Sequence, residues 1–299
     1  MEKTLMEKYA EWMEFCEMKY TPQTWIGFSI IACGLIGVLS FVLSSVFIQG
    51  ITLIPLAFSI SALVLTLGYP YMKKESIINE IEKNFSDALK QMADTLKAGD
   101  TYENALREVV DAEYGKLSKE MNLALTRMED GENLDSALNG FSARVDSRLI
   151  KRTITIILDS IKTGASLAEI LDDIADDVRD IYRLKEDRKA STTMQFMFLI
   201  AAGGFIAPMI FGEITSVISS FGSISTRELN AVSQADNFTP LIIQIYLIVE
   251  VIGSGAMMAL IREGKLNKSI IYIPVILLVA FLCYHGTNIV VRNMIMGSL

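Results

Sequence analysis

The chain has 299 residues, 51% of them hydrophobic, and a formal net charge of −8. That acidity removes the basic stripe a nucleic-acid binder needs, and the three cysteines, Cys16, Cys33 and Cys283, lack the number and spacing of a disulfide framework or a metal site. The apolar residues gather into runs of roughly twenty, long enough to cross about 30 Å of hydrocarbon, which points to a membrane protein.

An amphipathic arm, residues 1–24, comes first. Leu5, Tyr9, Trp12, Met13 and Cys16 recur at helical spacing, opposed by Glu7, Glu11 and Glu14. The acidic face disfavours anionic lipid, so the arm is expected to dock on the following helical section or on a partner. No cleavable signal peptide is expected, because the first apolar run begins at Trp25 behind this acidic segment. Two spans occupy residues 25–70: "WIGFSIIACGLIGVLSFVLSSVF" from Trp25 and "ITLIPLAFSISALVLTLGY" from Ile51.

A polar section then covers residues 71–193. Ile77, Ile78, Ile81, Phe85, Leu89, Met92 and Leu96 form one apolar stripe, and Leu167, Ile170, Leu171, Ile174, Val178, Ile181 and Leu184 form another. Between them the segments Tyr102 to Val110, Leu117 to Met128, Leu134 to Val145 and Leu149 to Ile161 have the same period, which makes six helices with no Pro and no strand pattern. Three similar phrases, "KAGDTYENAL", "EDGENLDSAL" and "KTGASLAEIL", punctuate the section. In each, Gly99, Gly131 or Gly164 suits the left-handed position that closes a helix, and Thr101, Asn133 or Ser166 can cap the next. Short connections predict a compact antiparallel six-helix bundle; a recurrence of about 32 residues leaves an open helical solenoid as the other arrangement. From Ser166 to Met194 there is no Gly or Pro, so the last helix either runs straight into the third span or kinks within "RKASTT".

Three further spans lie within residues 194–299, from Met194, Pro240 and Ile270. Lys73, Lys74, Arg188, Lys189, Arg262, Lys265 and Lys268 flank the spans on one side, which by the positive-inside tendency puts the polar section and the amino terminus in the cytoplasm and the carboxyl terminus outside. Arg292 runs against that rule. The expected fold is an all-α membrane protein with about five transmembrane helices and a cytoplasmic six-helix bundle.

Catalytic constellations are missing from the sequence. "GKLS" at Gly115 and "GKLN" at Gly264 lack the earlier Gly of a phosphate loop, as Val110 and Ala259 show. His285, the one histidine, has no Ser or Cys dyad and reads as an interfacial or packing residue. Asp172, Asp173, Asp176 and Asp177 read as a solvated helix face without the turn of a calcium loop. No cofactor is expected. Arg144, Arg148, Lys151 and Arg152 form a basic run in an acidic section, suited to an acidic protein surface or to intrachain pairing. Glu250 falls mid-span, where an unpaired charge costs about 3 kcal/mol; coupling and a structural hydrogen bond, with Gln244 of another subunit or with Gln195, are both open to it. Glu213 lies nearer the span boundary. Gly203, Ala207, Gly255 and Ala259 are small residues that would let spans or subunits approach closely.

The stretches "FSDALKQMADTLKAGDTYENALREV", "RMEDGENLDSALNGFSARV" and "TIILDSIKTGASLAEILDDIADDVRDIYRLKEDRKASTTMQ" resemble the F domain of type II secretion and type IV pilus inner-membrane platform proteins, archaeal members including the archaellum platform among them. The resemblance implies a non-enzymatic platform in the cell membrane beneath a pilus-like filament. It further implies a hexameric secretion ATPase and pilin-like subunits as partners, with the ATPase contact carried onto Arg144, Arg148, Lys151 and Arg152. Many such proteins hold two F domains and this chain shows one, so pairing with itself or with a second platform protein is expected. An ion-driven stator, with Glu250 as its proton-linked residue, is the competing reading.

Overall fold

A computed structural model describes residues 5–47, 53–162, 166–225 and 232–297, and all regular structure among them is helical. The helices are α1 (Leu5–Phe15), α2 (Pro22–Phe47), α3 (Ile54–Lys97), α4 (Tyr102–Asp111), α5 (Lys116–Glu129), α6 (Leu134–Val145), α7 (Arg148–Lys162), α8 (Leu167–Ser191), α9 (Thr193–Ile200), α10 (Ala207–Ser225), α11 (Val232–Glu263) and α12 (Ser269–Gly297). A π-helical turn, Ala201–Ile206, joins α9 to α10. The chain divides into two compact units, Met1–Lys19 with Pro70–Arg188 and Tyr20–Tyr69 with Lys189–Leu299.

The first unit is built on one apolar core. Ile81, Phe85 and Leu89 of α3, Leu106 of α4, Leu117 and Met121 of α5, Phe141 of α6, Ile150 and Ile154 of α7, and Leu171 and Val178 of α8 are all buried in it. Six helical segments thus share a single interior, the Phe85 and Phe141 rings meeting near its centre with centroids 6.1 Å apart. The turns are formed as the repeated phrase requires: Gly99 and Gly131 have φ of 90° and 97°, where a Cβ would be strained. Thr101 Oγ1 accepts from the Asn104 N–H at 3.3 Å, and Asn133 Oδ1 from the Ser136 N–H at 2.8 Å. Gly164 of the third phrase lies outside the described residues.

A polar seam between α3 and α8 closes the bundle and excludes the open solenoid. Lys185 Nζ reaches Asn79 Oδ1 at 2.7 Å and Glu82 Oε2 at 2.9 Å, Arg179 meets Asp87 at 2.9 Å, and Lys90 and Lys97 both bind Asp172. Residue numbers rise on α3 as they fall on α8, so first and last bundle helices lie antiparallel, side by side. Hydrogen bonds from Lys90 and Lys97 hold the Asp172 carboxyl below its usual range.

One sequence expectation is corrected on α8, and one open alternative, the kink within "RKASTT", is the one realised. Ile181 and Leu184, placed on the buried stripe, are 46% and 68% exposed. At 3.6 residues per turn the phase set by Leu171, Ile174 and Val178 passes through Tyr182 and Lys185 instead. The helix also does not run unbroken into the third span. Thr192, at φ −92° and ψ 0°, interrupts it, because the Thr192 and Thr193 hydroxyls both donate to the Lys189 carbonyl, at 3.3 and 2.8 Å, and so compete with the backbone ladder.

In the second unit, five helices among the described residues are long and apolar enough to cross a membrane: Pro22–Val42, Ile54–Lys97, Thr193–Ser220, Thr239–Arg262 and Leu266–Ile295. The second is the whole of α3, a 44-residue helix whose residues up to Tyr69 lie in this unit and which continues through Pro70 into the polar section, where the sequence reading draws a boundary. Proline has no N–H, so the Thr66 carbonyl four residues back loses its helical donor. Trp25 Nε1 supplies one at 3.1 Å. Later spans meet through small residues and a polar knot: Ser61 Oγ donates to the Pro274 carbonyl at 3.1 Å, and Tyr284 Oη to Thr215 Oγ1 at 3.2 Å.

The arm docks on the first unit. Met13 and Cys16 are buried, Trp12 packs on Tyr71 with ring centroids 5.5 Å apart, and Lys73 donates to the Cys16 carbonyl at 3.0 Å. Glu17, in a left-handed turn, pairs with Lys116 at 2.9 Å and Lys119 at 3.1 Å; hydrogen bonds from these lysines, reinforced by their charge, lower its carboxyl from 4.5 to about 2. A folded-state value below the unfolded one means that this contribution is complete above about 4.5 and is lost as pH falls through about 2. The arm should therefore stay docked from neutral pH to about 4.5 and loosen below it, followed as the near-UV circular dichroism difference between wild type and Trp12→Phe. Burial shields the Cys16 thiol and raises its pKa. Trp12→Ala with Glu17→Gln is expected to speed maleimide labelling of Cys16 by about tenfold, measured by mass spectrometry in a Cys33→Ser, Cys283→Ser background.

Candidate functional site

The basic run is split between two helices. Ser147 caps α7, its Oγ accepting from the Ile150 N–H at 3.3 Å and donating to Glu82 Oε1 at 2.7 Å, while Asp146 makes the left-handed turn that ends α6. Arg144 therefore sits on the last turn of α6. Its Nε donates to Glu120 Oε2 at 2.8 Å and its terminal nitrogen to the Glu120 carbonyl at 3.3 Å. The Glu120 side chain is 5% exposed, so this pair is a structural bond of the bundle and not a free contact surface. Lys151, at the surface, binds Asp146 Oδ1 at 2.8 Å, and Lys74 binds the other oxygen at 3.3 Å.

What remains of the patch is Arg148 and Arg152. They stand one turn apart on the exposed face of α7, and neither forms an ion pair among the described residues. Ile156, 43% exposed, continues that face. Two unneutralised guanidinium groups beside an accessible apolar side chain suit a carboxylate-bearing protein surface. The acidic stretch offers no comparable site, since Asp172 is spent on the α3 seam and Asp176 lies 3.8 Å from Arg179.

The intramembrane candidates fall at different interfaces. Gly203 lies in the π-helical turn, and a Cβ there would stand 2.9 Å from Ser254 Oγ of α11. Gly255 of α11 faces α12, where a Cβ would come within 3.2 Å of Ile273 backbone atoms; Ala259 is fully buried one turn on. Ala207 is half-buried at the start of α10. Small residues here thus serve contacts between spans of one chain.

Glu250 is one turn from Ser254 on α11. Its Oε2 is enclosed and without a hydrogen-bond partner, and neither glutamine named from the sequence provides one. Gln244 is buried and its Oε1 accepts from the Leu53 N–H at 2.7 Å, which caps α3; Gln195 is exposed at the start of α9. Glu213 is exposed.

Sequence reasoning missed Glu120 and Gly212, and it named Gln244 only as a partner for Glu250, not for the Leu53 N–H that it binds. Glu120 shares its turn with Leu117, Met121 and Ala124, all buried, so the helical period already carried the signal. At Gly212 a Cβ would lie 2.5 Å from the Tyr284 carbonyl, so α10 and α12 approach closely there.

Residues 88–212 match the family model described as type II secretion system, protein F. The match begins in α3, covers the rest of the bundle and ends in α10. No curated protein and no solved structure matches the chain.

The geometry separates a structural arginine from free ones. Arg144→Met is expected to destabilise the full chain by about 1–2 kcal/mol, since it removes the hydrogen-bonded partner of a buried carboxylate and leaves it only Lys116 at 3.6 Å. Arg148→Glu should stay within about 0.5 kcal/mol of wild type. Thermal unfolding of the purified protein followed by circular dichroism measures both.

Proposed function

From a chain that carries a type II secretion system protein F domain at residues 88–212, we propose that the protein is a non-enzymatic platform of the cell membrane on which a pilus-like filament is assembled. The family match, seated on a closed polar bundle between apolar spans, is the observation that carries this reading. In it the bundle faces the cytoplasm, the amino terminus is inside and the carboxyl terminus outside. A hexameric secretion ATPase docks on the bundle, and pilin-like subunits leave the membrane for the filament base as the platform moves. Arg148 and Arg152 serve as the ATPase contact, with Arg144 and Lys151 shaping the surface beside them. A single F domain calls for a second copy or a second platform protein, to which the exposed Ile181 and Leu184 offer an apolar contact.

The unpaired Glu250 favours one competing reading, an ion-driven stator in which this carboxyl carries the proton. Glu250→Gln separates the two. A platform retains ATPase binding and at least part of its filament assembly, whereas a stator loses its ion-driven work altogether.

The contact itself is tested by Arg148→Glu with Arg152→Glu in the full chain, with binding to the cognate ATPase measured in detergent. Reversal of two exposed charges is expected to weaken binding by about tenfold or more and to steepen its loss with salt, without change in melting temperature. Equal binding by variant and wild type would remove these residues from the interface.

A further inference from the structure

A cavity of about 380 Å³ opens on the surface of the second unit between α2, α3 and α12. Its walls are apolar, with Phe58 and Phe281 at the back and Leu39 and Leu282, 62% and 61% exposed, at the mouth. Two polar atoms interrupt that lining. Ser40 Oγ and His285 Nε2 are buried without a hydrogen-bond partner, in residues 7% exposed. Serine in a helix ordinarily bonds a carbonyl one turn back, as Ser29 does to Trp25 at 2.9 Å. Ser40 forgoes that bond. His285 is held by ring contacts alone, edge-on to Tyr284 with centroids 4.7 Å apart and tilted on Phe281 at 6.3 Å.

An unsatisfied buried polar group costs on the order of 1–3 kcal/mol, and two of them in residues lining one apolar cavity call for a polar partner there. The cavity has the size of small-ligand pockets, roughly 300–1,000 Å³. It is more than ten times the roughly 30 Å³ share of one water, and apolar cavities stay dry. A helix of a partner would present mainly apolar side chains, its backbone N–H and C=O groups being bonded within it, and would leave Ser40 Oγ and His285 Nε2 unmet.

The remaining occupant reaches the mouth from the bilayer. We propose that the cavity is a lipid-binding site, which takes one hydrocarbon chain along Phe58 and Phe281 and places an oxygen of the lipid's glycerol region against Ser40 and His285. The level in the membrane agrees. Ser44, in the last turn of α2, and Ile54, the first residue of α3, also line the cavity, so it extends to the ends of these helices, where the glycerol oxygens of a lipid lie. The neutral imidazole has one donor and one acceptor nitrogen and serine has both functions, so a hydroxyl, ester or ether oxygen satisfies the site. This inference is independent of the filament and of the ATPase.

Gly286 supplies the test. It lines the cavity, and a Cβ there meets nothing within 4 Å, so the side chain of Gly286→Leu has room to enter the space. The full chain is reconstituted in vesicles containing a trace of a phospholipid with a diazirine in its acyl chain, irradiated, and the adducts are mapped by mass spectrometry. Adducts on wild type should concentrate severalfold around Leu39 and Leu282, relative to other lipid-facing positions such as Ile242 and Met209. Gly286→Leu should abolish the excess while melting as wild type does, and Ser40→Ala with His285→Phe should lower the fraction of chains that retain one lipid through detergent exchange. Uniform labelling of the lipid-facing helices of wild type, a result that needs no variant to fold, would overturn the proposal. So would an undiminished excess in Gly286→Leu.

Discussion

The antiparallel pairing of α3 with α8 is the constraint on which the rest depends. The chain comes into the polar bundle from its second apolar run and leaves it towards its third, so the first and last bundle helices have to be neighbours if the interior is to close. The seam of Asn79, Glu82, Asp87, Lys90 and Lys97 against Asp172, Arg179 and Lys185 accomplishes this. Exposed ion pairs contribute roughly 0–1 kcal/mol each, too little to hold the unit together. Stability comes from the buried core, where large-to-small changes at residues such as Phe85 and Phe141 cost about 3–5 kcal/mol. The charges fix which helices pair and in what register, because a slip would set Lys185 against apolar turns of α3.

The same division of labour explains the basic run. Within the bundle Arg144 and Lys151 are both consumed by nearby carboxylates, Glu120 and Asp146. Arg148 and Arg152 are not. In the apolar unit most hydroxyl and amide groups likewise find a backbone carbonyl or N–H, as Ser61, Thr66 and Gln244 do. Against that background the unmatched atoms of Ser40, Ser216, Glu250 and His285 stand apart.

Much of the fold was legible in the sequence because it is written in short-range rules. The helix bounds from Tyr102 to Lys162 follow from the 3.6 period and the Gly-then-cap phrase, and the apolar runs follow from length alone. Features decided by pairs of distant residues were not legible. Pro70 reads locally as a stop and is tolerated because Trp25, far away in sequence, replaces the lost donor. The break at Thr192 depends on which carbonyl the hydroxyls choose. The four basic residues look equivalent in sequence; only the positions of Glu120 and Asp146 divide them into bound and free. The cavity at Ser40 and His285 required three helices to be brought together and had no local signal at all.

Closure of the bundle can be measured directly in the membrane. Nitroxide labels at Asp87 and Arg179, compared with labels at Asp87 and Arg127, report by double electron–electron resonance whether α3 and α8 are adjacent. The account predicts a short, narrow distance distribution for the first pair that survives reconstitution into lipid. A long or broad distribution for Asp87 and Arg179, as an open row of helix pairs would give, would contradict it.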